Sequence, residues 1–310
     1  MINTHFLALI IALVIEAVNG EVREKVCPIH PVVITWKLGN FLLHKVRKDV
    51  PGGIALWFLT VIPVLGAYAV IPEILLRVFN NNIILTLILV VAYASLLKFS
   101  FSIKLLRWYY TNILNYLTAG NEARARVLLQ EIVRRDVFSL TYDEVLSALV
   151  ETYVESIVDG IAGPFFYYIF MGIVGSYLQR LANTMDSLVG YTYEPYQKVG
   201  KFSAYVDTVL NLPAALLTTF LIIILTRCNI KKFLKVLKNA KSVKSINARL
   251  VFSAIAAGYD IVLVKPGDYA VNYGGRRLSI DICRRVLRTC DYVVLMLVVI
   301  TLVLSLLLRV

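Results

Sequence analysis

Ile83-Ile-Leu-Thr-Leu-Ile-Leu-Val-Val-Ala-Tyr-Ala-Ser-Leu-Leu97 carries no charge, and Val293-Val-Leu-Met-Leu-Val-Val-Ile-Thr-Leu-Val-Leu-Ser-Leu-Leu-Leu308 reads the same way. Each approaches the ~20 residues that a helix needs to cross hydrocarbon. Around them, 59% of the 310 residues are hydrophobic, only 17% are charged and the mean hydropathy is +0.74. A typical globular chain has about 25% charged residues. These proportions exclude a water-soluble enzyme, a disordered chain, collagen and a coiled coil. The expected fold class is an all-α polytopic membrane protein with about five to six transmembrane helices, cytoplasmic helical loops and a small irregular or β element near 261–273.

The candidate spans are residues 2–18, 54–78, 83–106, 161–182, 206–226 and 291–308. Phe6 to Val18 lacks a basic start and a small-residue cleavage site and contains Glu16, so it reads as a retained helix rather than a signal peptide. Lys and Arg number 32 against 20 acids, a net charge of +12. The basic residues gather in loops at about 20–50, 107–160 and 227–290, which puts those loops in the cytoplasm and the uncharged turn Asn80-Asn81-Asn82 outside. No nucleic-acid motif accompanies the charge, so no nucleic-acid partner is expected. With no internal repeat and no linker, residues 1–310 read as a single integral membrane domain of the cell membrane, its active face cytoplasmic. Cys27, Cys228, Cys283 and Cys290 form no CxxC pair and suit reduced structural thiols.

The fourth span is the irregular one. Gly160, Gly163 and Pro164 precede it and Gly172 and Gly175 interrupt it, leaving two half-helices. Broken helices at membrane depth line cavities, where membrane proteins place their sites. A re-entrant hairpin would reverse the side of the basic stretch 227–249, whereas full crossing keeps that stretch cytoplasmic. Crossing is the expectation.

Just before this span, Glu151, Glu155 and Asp159 recur four residues apart. On an α-helix each step turns about 40° and rises about 6 Å, so the three carboxylates line one face that suits a divalent cation or an ammonium group. Like charges at this spacing repel, so Mg²⁺ or an Arg should compensate them. The plain alternative is the wetted face of an amphipathic helix. Asn183, Asp186, Asp207 and Asn211 lie in or beside apolar spans, where polar groups are costly and mark sites; for Asn183 and Asp186 the alternative is a capping or turn role. His30, before Pro31, suits a hydrogen-bond donor to phosphate or a base, or else a structural loop role. Lys265-Pro-Gly-Asp-Tyr269 and Tyr273-Gly-Gly-Arg-Arg277 combine flexible backbone with cations, as a phosphate site or an ordinary turn. Lys231, Lys235 and Lys238, interleaved with Phe233, Leu234 and Leu237, suit membrane lipid headgroups. No P-loop, dinucleotide-binding or hydrolase-elbow motif occurs.

In order along most of the chain, these segments resemble the adenosylcobinamide-phosphate synthase family, the CobD/CbiB membrane proteins of cobalamin biosynthesis. Gly20-Glu21-Val22 and His30-Pro31-Val32 look like the family's early elements, as do Arg135-Asp136-Val137, Val150-Glu151-Thr152, Glu155-Ser156, Asp159-Gly160 and Pro164 to Phe166 in the middle of the chain. Asn183 to Tyr191 is a nearly intact motif, followed by Tyr196 to Gly200, Ala204 to Asn211 and Ser245 to Arg249, the last containing Asn247. Tyr205, Thr208, Ser156 and Ile246 stand where the family has Arg, Asp, Asn and Pro, so the chain resembles a divergent member.

The resemblance implies a ligase that joins aminopropanol or its phosphate to a propionate carboxyl of adenosylcobyric acid, with ATP as cosubstrate and Mg²⁺ as cofactor. Its partners would be these corrinoid and amino-alcohol substrates, membrane lipid and other corrinoid-pathway membrane proteins. Glu151, Glu155, Asp159 and Asp186 are then the expected catalytic residues, with Glu155 and Asp159 on the metal. His30, Asn183, Asp207, Asn211, Asn247 and Lys265 are the expected substrate-binding residues. Two other classes compete. A Mg²⁺-dependent membrane prenyl- or phosphotransferase would show paired DxxxD boxes, which are missing. A transporter would use broken helices and buried acids, but the loops here are long for a bare carrier.

Overall fold

The computed structural model describes residues 3–20, 27–79 and 82–308. In chain order its helices are α1 (Thr4–Asn19), α2 (Pro31–Leu43), α3 (Val50–Leu65), α4 (Ile71–Val78), α5 (Ile83–Lys98), α6 (Lys104–Thr118), α7 (Glu122–Gln130), α8 (Tyr142–Ile157), α9 (Gly163–Val189), α10 (Tyr196–Val199), α11 (Lys201–Leu225), α12 (Ile230–Asn239), α13 (Ile246–Tyr259) and α14 (Ile280–Leu308). Between α13 and α14, strands β1 (Leu263–Lys265) and β2 (Tyr269–Val271) form an antiparallel hairpin, the β element expected around Pro266-Gly267. By length and composition, four helical runs can cross a membrane: Val50–Val78, Tyr142–Val189, Lys201–Leu225 and Ile280–Leu308. The fold is all-α and polytopic.

Side-chain caps start most of these helices. Asn3, His30, Asp49, Asn82, Asn229 and Ser245 each accept a backbone N–H of the first turn. Two helical runs widen into a π turn, at Gly66–Val70 and at Val158–Ala162. Each π turn lies just ahead of a proline, Pro72 or Pro164, whose ring has no N–H and crowds the preceding turn.

The chain forms two compact units, one of residues 1–104, 159–211 and 298–310, the other of 105–158 and 212–297. In the first unit α1 packs along α5, and α2 and α3 pack on α9. Glu16, 2% exposed, explains the end of the third span. Its Oε1 accepts the amides of Ile103 and Lys104 at 2.7 and 2.8 Å and so stabilises the start of α6, with Lys98 Nζ 3.3 Å from Oε2. The helix expected over 83–106 therefore stops at Lys98 and restarts at Lys104.

The fourth span does not cross as one straight helix. Gln179 Nε2 donates to the Asp159 carbonyl at 3.2 Å, and Gly163 and Gly160 lie against Gln179 and Arg180. Twenty residues of straight helix would separate such partners by about 30 Å. These pairs nest around Gly172, whose φ of 57° and ψ of −144° break the helix. Residues 163–171 and 173–189 are thus two arms of a hairpin, which corrects the expectation of full crossing. At its apex the Ile173 amide donates to Tyr93 Oη at 2.9 Å, and Tyr93 donates to Glu73 at 2.9 Å. His5 lies 3.0 Å from the same carboxylate, and Tyr168 donates to the His5 carbonyl at 2.8 Å.

In the second unit α8 packs against β1 and α13, and α12 packs on α13 through buried Phe233 and Val236. Lys231, Lys235 and Lys238 of α12 face outward beside exposed Leu234, while Lys232 pairs with Asp260 at 2.8 Å. Of the expected Asn80–Asn82 turn, only Asn82 is among the described residues, where it caps α5; Glu21 and Val22 also lie outside them.

Candidate functional site

Two polar clusters, one in each unit, gather most of the residues singled out in the sequence. In the first, the returning arm of the hairpin presents Gln179 and Asn183, four residues apart, to Asp207 and Asn211, also four apart on α11. Gln179 Nε2 donates to Asn211 Oδ1 at 2.8 Å as well as to the Asp159 carbonyl. Asn211 Nδ2 donates to Asp207 Oδ1 at 2.8 Å, and Asn183 Nδ2 reaches the same oxygen at 3.2 Å. Gln179 and Asn211 are fully buried. Gly163 makes this approach feasible, because a Cβ there would stand 2.6 Å from Gln179 Cδ and 3.0 Å from Asn211 Oδ1. Asp186 lies one turn beyond Asn183, half-buried near the end of α9.

The second cluster is centred on Glu151. Its Oε1 accepts Ser147 at 2.8 Å, and its Oε2 accepts Arg135 at 2.7 Å and Tyr269 at 3.1 Å. Ser147 Oγ in turn accepts the amide of Val264, which ties β1 to α8. Lys265 pairs with Asp268 at 2.7 Å and sits 5.6 Å above the Tyr269 ring. Burial, reinforced by the charges of Glu151 and Glu155, raises the Tyr269 phenol well above its ordinary pKa, so it stays a donor. The Lys265 ammonium holds the Asp268 carboxyl below the usual range.

The acid ribbon therefore divides. Glu151 is compensated by Arg135, one of the two cations its spacing called for, and all its bonds serve packing. Glu155 is exposed on α8. Asp159 sits in the π turn, where the α-helical phase is lost, and belongs to the other unit. Glu151 and Glu155 keep their α-helical spacing within α8. Among the described residues no three His, Cys, Asp or Glu side chains gather as a metal site. His30 caps α2, its Nδ1 accepting the Val32 amide at 3.2 Å, and its ring packs edge-on to Phe99. Asn247 is buried in the first turn of α13.

Sequence reasoning missed Gln179, Ser147 and the His5–Glu73–Tyr93 set, and it named Arg135 and Tyr269 within motifs but not as partners of Glu151. Gln179 had a signal: it lies one turn before Asn183 in an apolar helix, the rhythm that Asp207 and Asn211 repeat. Of the partners of Glu151, Ser147 lies one turn before it on α8, in the same four-residue rhythm, whereas Arg135 and Tyr269 come from other segments.

A family model described as CobD/Cbib protein matches residues 9–289. The chain belongs to the CobD/CbiB family. Among its relatives, the probable cobalamin biosynthesis protein CobD of Thermoplasma acidophilum is 34% identical over 278 residues, 88% of each chain. The protein of the same name from Methanocaldococcus jannaschii is 30% identical over 309 residues, 95% of this chain and 97% of the relative. No solved structure matches. Within this CobD/CbiB chain, the segments singled out above, from His30 to Asn247, all fall inside the matched range.

Proposed function

We propose that this CobD/CbiB chain is a cobalamin-biosynthesis ligase. It condenses the amine of aminopropanol, or of its phosphate, with a propionate carboxyl of adenosylcobyric acid to give adenosylcobinamide or its phosphate, at the cytoplasmic face of the cell membrane. The observation that carries this reading is the match to the family model over residues 9–289, which includes every segment of the two polar clusters. A carboxylate and an ammonium do not condense at neutral pH, so the carboxyl needs activation and the amine must lose a proton. ATP with Mg²⁺ supplies the activation when bound.

The residues present fit such a cosubstrate. Mg²⁺ commonly takes one or two protein carboxylates and completes its shell with phosphate oxygens and water, so a closed cage of three ligands is not required. Glu155, exposed on α8 of the second unit, would offer such an ion a carboxylate, and Asp159 would do so separately in the first unit. Lys265, on the β hairpin, and Arg276 and Arg277 beyond it offer cations to phosphate. Asp186 and Asp207 are the remaining carboxylates able to accept a proton.

Incubation of the detergent-solubilised chain with adenosylcobyric acid, aminopropanol or its phosphate, ATP and Mg²⁺ should yield the amide, detected by mass spectrometry, with ATP consumption that depends on the corrinoid. Growth of a synthase-deficient strain on cobyric acid tests the same reading in cells. Turnover with prenyl diphosphates in place of corrinoid would instead make the chain a transferase.

A further inference from the structure

The donors of the hairpin cluster all point one way. Gln179 gives its two amide hydrogens to the Asp159 carbonyl and to Asn211 Oδ1, and this pair of acceptors fixes which end of the Gln179 amide is nitrogen. Asn211 passes its own donor to Asp207 Oδ1, and Asn183 adds a second. The chain of hydrogen bonds ends on a carboxylate. Among the described residues no Lys, Arg or His pairs with Asp207. The nearest cation along the returning arm, Arg180, lies beside Gly160 instead. What remains is acceptors: the second oxygen of Asp207, and Oε1 of the fully buried Gln179, which has no hydrogen-bond partner. A carboxylate in an apolar helix served only by neutral amides is costly, as is a buried amide oxygen without a donor.

We propose that this cluster is the ammonium subsite, and that Asp207 and Gln179 Oε1 receive the primary amine of the amino-alcohol substrate. An ammonium carries three donors and no acceptor, as the site demands, and its charge compensates Asp207. Asp207 then serves as the proton acceptor: R–NH₃⁺ gives one proton to the carboxylate, and the nitrogen lone pair attacks the carboxyl carbon of the ATP-activated acyl phosphate. The C–N bond forms as the C–O bond to phosphate breaks, phosphate leaving with that electron pair and the nitrogen's second proton passing to water. Gln179 also holds the Asp159 carbonyl and so ties the hairpin arms together beside the site.

This inference rests on the amide-forming reading above, and the test separates the two. Isothermal titration of the detergent-solubilised full chain with 1-amino-2-propanol, 1,2-propanediol and MgCl₂ should show saturable heat for the amine and none for the diol. Asp207→Asn should lower amine affinity about ten-fold or more, the scale of a lost charge-assisted bond. Gln179→Leu should weaken it about three-fold or more. In turnover both variants should raise KM for the amine and leave KM for the corrinoid unchanged, a split that a general folding defect would not produce. Equal binding of the diol, Asp207-dependent binding of Mg²⁺ without the amine, or unchanged amine affinity in Asp207→Asn overturns the assignment. Where Asp207→Asn does not fold, unchanged amine affinity in Gln179→Leu overturns it. Asp207-dependent amine binding in a chain that forms no corrinoid amide keeps the subsite and removes the ligase reading. Amide formation with an unchanged amine KM in Asp207→Asn does the reverse.

Discussion

At the scale of single residues, the buried pair of Arg135 and Glu151 is the strongest test of the second cluster. Their side chains are 17% and 5% exposed. Removing the arginine leaves a buried carboxylate with only neutral donors. Arg135→Ala should therefore destabilise the chain by about 3–5 kcal/mol, read as a drop in melting temperature in detergent. Glu151→Gln should also lower the melting temperature, because one of the two positions that accept from Ser147 and from Arg135 and Tyr269 becomes an amide donor and Arg135 loses its counter-charge. Unchanged melting in Glu151→Gln would show that the charge is not what matters there. Glu155 and Asp159 differ in kind. Replacing Glu155 by Gln or Asp159 by Asn should abolish product, and for exposed Glu155 the melting temperature should stay within about 1 °C of the parent, since exposed substitutions rarely move stability by more than about 0.5 kcal/mol. Full activity in both variants would return them to a wetted helix face. The acids themselves were legible in the sequence from their spacing. That Glu151 is an anchor follows only from its bonds to Ser147 one turn before it and to Arg135 and Tyr269 farther away in the chain.

Elements carry the next level. Gly172 sits at φ 57°, a conformation L side chains rarely adopt, and a Cβ there would stand 3.0 Å from Tyr93 Oη. Gly172→Ala should thus cost about 1–3 kcal/mol and loosen the hairpin apex, detectable as faster proteolysis and a lower melting temperature. A variant with unchanged melting would mean that the two arms hold without the apex. The glycines and Pro164 marked this segment as broken in the sequence, but not which way it bends. The direction is set by contacts twenty residues apart, above all Gln179 with the Asp159 carbonyl. Charge placement alone favoured crossing, because it weighs loops and cannot see a helix returning on itself. The two π turns were illegible for a similar reason: Pro72 and Pro164 require the local hydrogen bonding to change, but a kink, a break or a wide turn would each satisfy them.

For the whole molecule, burial orders the thiols. Cys283 and Cys290 are 0% and 1% exposed, while Cys228 is partly exposed in the turn after α11. In a Cys27→Ser background, a maleimide should label Cys228 in the folded, detergent-solubilised chain and reach Cys283 and Cys290 only after denaturation. Burial also pushes the Cys228 thiol up, so its labelling should quicken as pH rises from 7 toward 9. Labelling of Cys290 at the rate of Cys228 in the folded chain would contradict the packing of α14.

Some of this was decided by composition and order along the chain. The apolar runs require helices, because backbone polar groups in hydrocarbon must bond within their own segment, and this holds whatever the neighbours are. The motif order from His30 to Asn247 carried the family for the same reason: it is a property of the chain, not of its folding. Tertiary structure alone decided which polar groups meet. It joined Gln179 to Asp159 and Asn211, and both Asn183 and Asn211 to Asp207, through a fold-back at one glycine. It also divided three evenly spaced acids between two units by a single π turn. Hydrogen bonds and ion pairs depend on distances of a few ångströms between groups far apart in the chain, and spacing along one helix does not encode them.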